Sequence, residues 1–238
     1  MFHYRLVQAS EFPSLVYGHP WPGLLSVREQ HLLAGLLVLP RRRKWLLGRA
    51  AAKRLVREAF GETELAEEQI SVLNQPSGEP FVLIEGRGGW EYPISISHRS
   101  EVGMAAAPTD KGLRIGADLE TIEPRDPALT RQFFTEAEAA LVEASGEKRD
   151  EVVSRIWSAK EALLKLVGLG LRIDTRGVVV SLGDEPAEPF ADCPAGWQPV
   201  EVKVLAKLPK LPRQDLLANL RVAWQRAGTC VLTVAVAG

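Results

Sequence analysis

Cysteine is nearly absent from this chain, and net charge is nearly zero. Cys193 and Cys230 are the only two cysteines, far apart and in no CxxC pair, which excludes a disulfide framework, argues against a thiolate zinc site and predicts a reducing, cytoplasmic setting. Twenty-nine Lys and Arg against 30 Asp and Glu leave a formal charge of -1, so no bulk attraction to nucleic acid or membrane is expected. Any electrostatic function must be local. Long apolar runs are missing too: MFHYRLVQAS has no basic n-region followed by an apolar stretch, and HLLAGLLVL reaches an arginine run before it could span a bilayer. No GxxxxGK followed by Ser or Thr, no GxGxxG after a strand and no GxSxG elbow occurs, which removes a P-loop, a dinucleotide fold and a serine-hydrolase dyad.

What is present is an ordinary globular composition, 46% hydrophobic and 25% charged over 238 residues. FHYRLV reads as a strand, PSLVYGHPWPG as loop, and a helix is expected from about Ser26 to Leu37. After Pro40, Trp45, Leu46, Ala52, Leu55 and Val56 fall at helical spacing, with Gly61 as the stop. ISVLNQPSGEPFVLIEG predicts two strands around a turn, PISISHRSEVGMAAA two more separated by His98 to Glu101, and GLRIGADLE another. Leu129 to Ser145 reads as an acidic helix and DEVVSRIWSAKEALLKLVG as a second long one ending at Gly168. Strands follow in VVVSL, WQPVEVKVLA and a hairpin of LRVAWQRAG with TCVLTVAVA. The expected fold is α+β, in two similar halves over residues 1–110 and 111–238. Trp45, Arg49 and Lys53 match Trp157, Glu161 and Lys165 in spacing, a weak sign of internal duplication.

IGADLE holds the most pointed local pattern. Arg114, Gly116, Asp118 and Glu120 alternate onto one strand face and Leu113, Ile115, Ala117 and Leu119 onto the other. Two carboxylates this close repel unless a cation joins them, and hard divalent cations prefer such oxygen ligands; from this stretch alone, an edge strand with a solvated face is the simpler reading. Glu161 and Lys165 stand four apart, the spacing of a surface ion pair worth about 0.2–0.5 kcal/mol, but Trp157 shares their stripe, so that face meets something. Ser97 and His98 at a strand end suit either a phosphate contact or a turn. The run from Arg41 to Arg57 holds eight basic residues and no acid, suited to polyphosphate, nucleic acid or an acidic protein, or simply to solvent.

In this order, the pieces resemble the larger, surfactin-synthetase type of 4'-phosphopantetheinyl transferase. IGADLE looks like the family's (I/V)G(I/V)D(I/L)E strand and WSAKEALLKLVG like its WxxKEAxxKxxG helix, with ISISH in the place of its SxSH segment and LGRAAAKRLV in that of its GRxxxR-like helix. The resemblance runs from about Arg41 to Gly170. It implies two similar α+β halves, pseudo-twofold related, with coenzyme A in the cleft between them. It further implies that a carrier-protein serine attacks the β-phosphate of coenzyme A, with adenosine 3',5'-bisphosphate leaving. By the same carry-over Asp118, Glu120 and Glu161 would hold Mg²⁺, Lys165 would offset phosphate charge, and Glu161 would take the serine proton. Ser97, His98, Lys44 and Arg49 would lie on the nucleotide side of coenzyme A.

The implied partner is an acyl or peptidyl carrier protein whose acidic helix meets a basic or apolar rim, and the implied protein is a cytoplasmic monomer. Trp157 is expected to pack rather than to stack on adenine. Two departures stand out: Gly78, Glu79, Pro80 replaces the family's frequent Gly-Lys-Pro, and His31 with Leu32 replaces its Glu-Arg pair. A non-catalytic carrier-binding relative and a nucleic-acid-binding module on the basic helix are the competing expectations.

Overall fold

The computed structural model describes residues 2–90, 92–170, 173–182, 193–205, 217 and 219–238. The chain divides into two compact units, Phe2–Leu113 and Arg114–Gly238. The first runs β1 (Phe2–Gln8), α1 (Val27–Ala34), α2 (Leu39–Ala59), β2 (Ile70–Asn74), β3 (Pro80–Ile84), β4 (Gly88–Gly89), β5 (Ser95–Arg99) and β6 (Val102–Pro108). The second runs β7 (Arg114–Thr121), α3 (Pro127–Phe133), α4 (Glu136–Ala144), α5 (Arg149–Leu166), β8 (Val178–Ser181), β9 (Gln198–Val204), β10 (Arg221–Ala227) and β11 (Cys230–Ala237). The sheets are antiparallel, ordered β1-β6-β5, β2-β3-β4 and β7-β11-β10-β9-β8. The α+β class is as expected, and no described helix is long and apolar enough to cross a membrane.

Each long helix is buried along one side for a readable reason. In α2, Leu46, Leu47, Ala50, Ala51 and Leu55 form a stripe with at most 1% exposure, and Pro40 sits in the first turn, where its missing N–H has no helical partner to lose. Three expected boundaries change. The helix after Ser26 ends at Ala34 rather than Leu37. The acidic helix is two, because Thr135 caps α4 by accepting from the Glu138 N–H and so ends α3 before it. His98 belongs to β5, leaving only Ser100 and Glu101 as the turn. The strand expected over WQPVEVKVLA forms as β9, Gln198–Val204; its Ala206 lies outside the described residues.

The two units share one buried device. In the first, Ser26 caps α1 and Glu29 reaches back to the Ser26 N–H at 3.0 Å. Glu29 Oε2 accepts from the fully buried Lys53 Nζ, and its Oε1 accepts from the Val72 N–H at 3.0 Å. In the second, Glu138 accepts from the Thr135 N–H at 2.7 Å and from the Val180 N–H at 2.8 Å, and it pairs at 2.8 Å with the fully buried Lys160. Lys160 also donates to the carbonyls of Thr175 and Val178 at 2.9 and 2.6 Å. Each carboxylate thus joins a cap, a long helix and the strand that follows it. Burial pushes both lysine pKa values down, while the partnered carboxylates pull them back up.

These pairs correct the internal register. Lys53 corresponds to Lys160, so the spacing match of Trp45, Arg49 and Lys53 with Trp157, Glu161 and Lys165 pairs the wrong positions. In the corrected register Arg54 answers Glu161 and Glu58 answers Lys165, each at the same distance past its lysine. The strand-to-helix ion pair then recurs with its sign reversed: Arg5 with Glu58 at 3.1 Å in the first unit, Asp118 with Lys165 at 2.8 Å in the second.

Removing one partner of a buried pair leaves the other charge uncompensated. Lys160→Ala is expected to lower unfolding free energy by about 3–5 kcal/mol, read by urea denaturation; a loss under about 1 kcal/mol, the range of an exposed pair, would show that Lys160 does not hold the second unit together.

Candidate active site

The site grows from one close contact in the second unit. Gly116, Asp118 and Glu120 stand opposite Ala235, Thr233 and Val231 across β7 and β11, and alternation puts all of them on one face. A Cβ on Gly116 would lie 1.9 Å from the Ala162 carbonyl oxygen and 2.5 Å from the Leu166 nitrogen. Only glycine lets the backbone of α5 lie on the strand there. Glu161 and Lys165 flank that contact on the helix. Asp118 and Glu120 are 4% and 8% exposed, so β7 is an edge strand of its sheet whose carboxylate face is covered rather than solvated.

Lys165 turns to the strand rather than to Glu161: its Nζ donates to Asp118 Oδ1 at 2.8 Å and to the Ala117 carbonyl at 3.0 Å. Arg125 donates to Glu120 Oε2 at 2.7 Å and to the Thr121 carbonyl at 2.8 Å. Glu161 Oε1 is enclosed and has no hydrogen-bond partner among the described residues. Burial first, and then the Asp118 charge, push the Glu161 pKa up to about 7; Lys165 pulls it down, and Glu120 adds to the rise. Trp157 does pack, with its ring 5.2 Å from that of Phe133.

Among the described residues, the three carboxylates stand beside the cations Lys165 and Arg125. Among the described residues, no three His, Cys, Asp or Glu side chains close into a preformed metal cage. The donors are nevertheless all oxygen, and Glu161 Oε1 is a buried acceptor that a hard cation would satisfy. The residues fit a magnesium ion held by few protein ligands and otherwise by water and phosphate. Two nearby residues escaped the sequence reading. Arg125 lies in TIEPRDP, where a lone cation between prolines just after a carboxylate strand was the available signal. Thr233, fully buried with no partner for Oγ1 among the described residues, gives no signal in sequence.

The other expected residues lie in the first unit. At Gly48 a Cβ would meet Ile96 Cγ2 at 2.9 Å and His98 Cδ2 at 3.9 Å, so α2 lies against the end of β5. Lys44 shares that helix face, one turn earlier; Ser97 is buried and His98 exposed. Arg49 is 6% exposed. Its Nη2 donates to Asn74 Oδ1 at 2.7 Å, and its guanidinium stacks 4.4 Å over Trp45. Burial lowers its pKa to about 10. Asn74 in turn donates to the Gly78 carbonyl at 2.8 Å, so Arg49 ties α2 to the turn that carries Glu79.

The basic run is mostly engaged within its own unit. Arg42 donates to the carbonyls of Gly18, Leu33 and Leu36, Arg43 pairs with Glu101, Lys53 with Glu29 and Arg54 with Glu11, and Arg57 donates to the Thr63 carbonyl. That leaves Arg41 and Lys44 as the cations of the run without a partner among the described residues, a poor footprint for nucleic acid.

Residues 114–202 match the family model of the 4'-phosphopantetheinyl transferase superfamily. That stretch of the chain is similar to the superfamily, and it covers 89 of the 238 residues. The superfamily match starts at the first residue of β7 and takes in all of α5, so it contains Asp118, Glu120, Arg125, Glu161 and Lys165. The chain is 26% identical over 144 residues to the 4'-phosphopantetheinyl transferase psf-1 of Bacillus pumilus, covering 60% of this chain and 58% of that one. It is 32% identical over 108 residues to slr0495 of Synechocystis sp., provisionally named for the same activity, covering 44% and 42%. The chain thus spans about half the length of these superfamily relatives. A solved holo-(acyl-carrier-protein) synthase from Bacillus anthracis, in complex with CoA (3',5'-ADP), overlaps 44% of this chain and 91% of its own, at 22% identity and a TM-score of 0.37.

Because the Glu161 pKa is raised from 4.5 to about 7 on folding, the folded state holds that proton more tightly than the unfolded one. The stability it contributes is full below about pH 4.5 and is lost as pH rises through about 7. In metal-free protein, Glu161→Gln is expected to flatten that part of the Tm-against-pH curve; an unchanged slope would place the titration elsewhere.

Proposed function

We propose that this protein transfers the 4'-phosphopantetheine arm of coenzyme A to a serine of an acyl or peptidyl carrier protein. The observation that carries the reading is the cluster of Asp118, Glu120, Glu161 and Lys165, gathered on β7 and α5 inside the superfamily match. Phosphoryl transfer asks mainly for positioning and charge neutralisation, and this cluster offers oxygen ligands for a cation beside a fixed ammonium.

Asp118, Glu120 and Glu161 would hold magnesium, which when bound neutralises charge on the pyrophosphate. Lys165, fixed on the Ala117 carbonyl and Asp118, presents its ammonium to the phosphoryl oxygens. Glu161, whose Oε1 is enclosed without a hydrogen-bond partner among the described residues, takes the serine proton. The serine oxygen bonds to the β-phosphorus, the bond from that phosphorus to the bridging oxygen breaks, and adenosine 3',5'-bisphosphate leaves with the electron pair. Lys44, Ser97 and His98 serve the 3'-phosphate side of coenzyme A, while Arg49 acts at one remove by holding the Asn74 to Glu79 turn. Glu79 does not supply the cation of the family's usual Gly-Lys-Pro, which shifts the nucleotide contacts to Lys44 and His98. The protein works as a monomer in the cytoplasm.

Asp118→Ala is expected to cut release of adenosine 3',5'-bisphosphate, followed by chromatography, about a hundredfold or more. Glu161→Gln should lower kcat by about 10²–10⁴-fold with little change in KM for coenzyme A. Near-normal turnover in the first variant would remove Asp118 from the site, and a change confined to KM in the second would make Glu161 a binding residue.

A further inference from the structure

Eight large apolar side chains stand exposed among the described residues, and seven of them lie between residues 16 and 39. Leu37 is 89% exposed, Tyr17 74% and Val38 61%. Single exposed apolar residues need no explanation, but such a concentration does. Tyr17 ends a short 3-10 turn, Pro13–Tyr17, whereas Leu37, Val38 and Leu39 lead into α2. Arg42 fastens these segments together: its Nε donates to the Gly18 carbonyl at 3.2 Å and its Nη1 to the Leu33 and Leu36 carbonyls at 3.0 Å each. Leu39 lies so close over Gly18 that a Cβ there would come within 2.6 Å of its Cδ1. The patch is therefore a built surface of the first unit.

Its charge is one-sided. From Phe12 to Arg57 the sequence holds nine Lys and Arg and a single acid, Glu29, which is fully buried against Lys53. No carboxylate from this stretch reaches solvent. Arg28 and Arg41 stand exposed at the edges of the patch, with no partner among the described residues. An apolar centre edged by the unpaired cations Arg28 and Arg41 is complementary to an acidic helix that has one apolar face.

We propose that this surface docks the carrier protein through such a helix, an inference that rests on the transferase reading for the identity of the partner. An anionic membrane offers related chemistry, but the patch is assembled from a turn, a connection and an eight-residue helix rather than from one continuous interfacial helix. Its two unengaged cations also fall short of the roughly four to eight clustered in lipid-binding segments.

The test is fluorescence anisotropy of a labelled apo acyl carrier protein whose acceptor serine is replaced by alanine, titrated with the full chain. Wild type is expected to bind, more weakly as salt rises. Leu37→Glu with Val38→Glu, and separately the milder Leu37→Ser with Val38→Ser, should weaken binding about tenfold and severalfold, with Tm and coenzyme A affinity unchanged. With the unaltered carrier, KM for the carrier should rise while kcat holds. Carrier binding absent in wild type, binding that stays within twofold in both variants, or cosedimentation with phosphatidylserine vesicles that the variants abolish while carrier binding persists would each overturn the proposal. A wild type that binds the carrier in this patch-dependent way yet releases no adenosine 3',5'-bisphosphate would support the docking surface and remove the transferase reading. Turnover with an unmoved carrier KM would do the reverse.

Discussion

The backbone contact between α5 and β7 at Gly116 is the constraint on which the site depends. A strand and a helix ordinarily keep a layer of side chains between them. Here the missing Cβ removes that layer at one point, and the helix backbone comes down onto the strand. The polar side chains beside the contact are then enclosed with their partners instead of dispersed into water. Lys165 reaches Asp118 and a strand carbonyl, and Glu161 is left with a buried oxygen and a neighbouring carboxylate that raise its proton affinity. A methyl group at position 116 would pry apart the elements that carry all four residues.

Beneath that contact lies a scaffold that occurs twice. Glu29 with Lys53 and Glu138 with Lys160 perform the same task of joining a capped helix start, a long helix and the next strand. On this common frame the chemistry differs by sign. Where the second unit has Asp118, Glu120, Glu161 and Lys165, the corresponding positions of the first are Arg5, Val7, Arg54 and Glu58. The first unit keeps a strand-to-helix ion pair but has no trio of carboxylates for a dication. Its basic residues are turned instead to capping carbonyls and pairing with its own acids, which leaves an apolar face edged by Arg28 and Arg41.

Much of this was legible in the sequence where periodicity and chemistry coincide. Strand alternation set Asp118 and Glu120 on one face, and helical spacing set Trp157, Glu161 and Lys165 on one stripe, because both periods are fixed by backbone geometry. The spacing match of the two long helices differs from the one that their buried lysines share, since a tryptophan is conspicuous whereas a fully buried lysine reads in sequence as a surface charge. The same difficulty hides how much of the Arg41 to Arg57 run is engaged within its own unit and that Arg49 is buried against Asn74. Burial of a charge depends on a partner distant in sequence, Glu29 for Lys53 and Asn74 for Arg49, and no local pattern announces it. Arg125 was missed because its partner is a carboxylate already assigned to another task.

The most direct test of the central claim is the intact mass of an apo acyl or peptidyl carrier protein after incubation with this protein, coenzyme A and Mg²⁺, with and without EDTA. The account predicts a gain of one phosphopantetheine arm that EDTA abolishes. No gain on carriers of either kind, with coenzyme A still bound, would contradict it, and a gain that survives EDTA would contradict the role given to Asp118, Glu120 and Glu161.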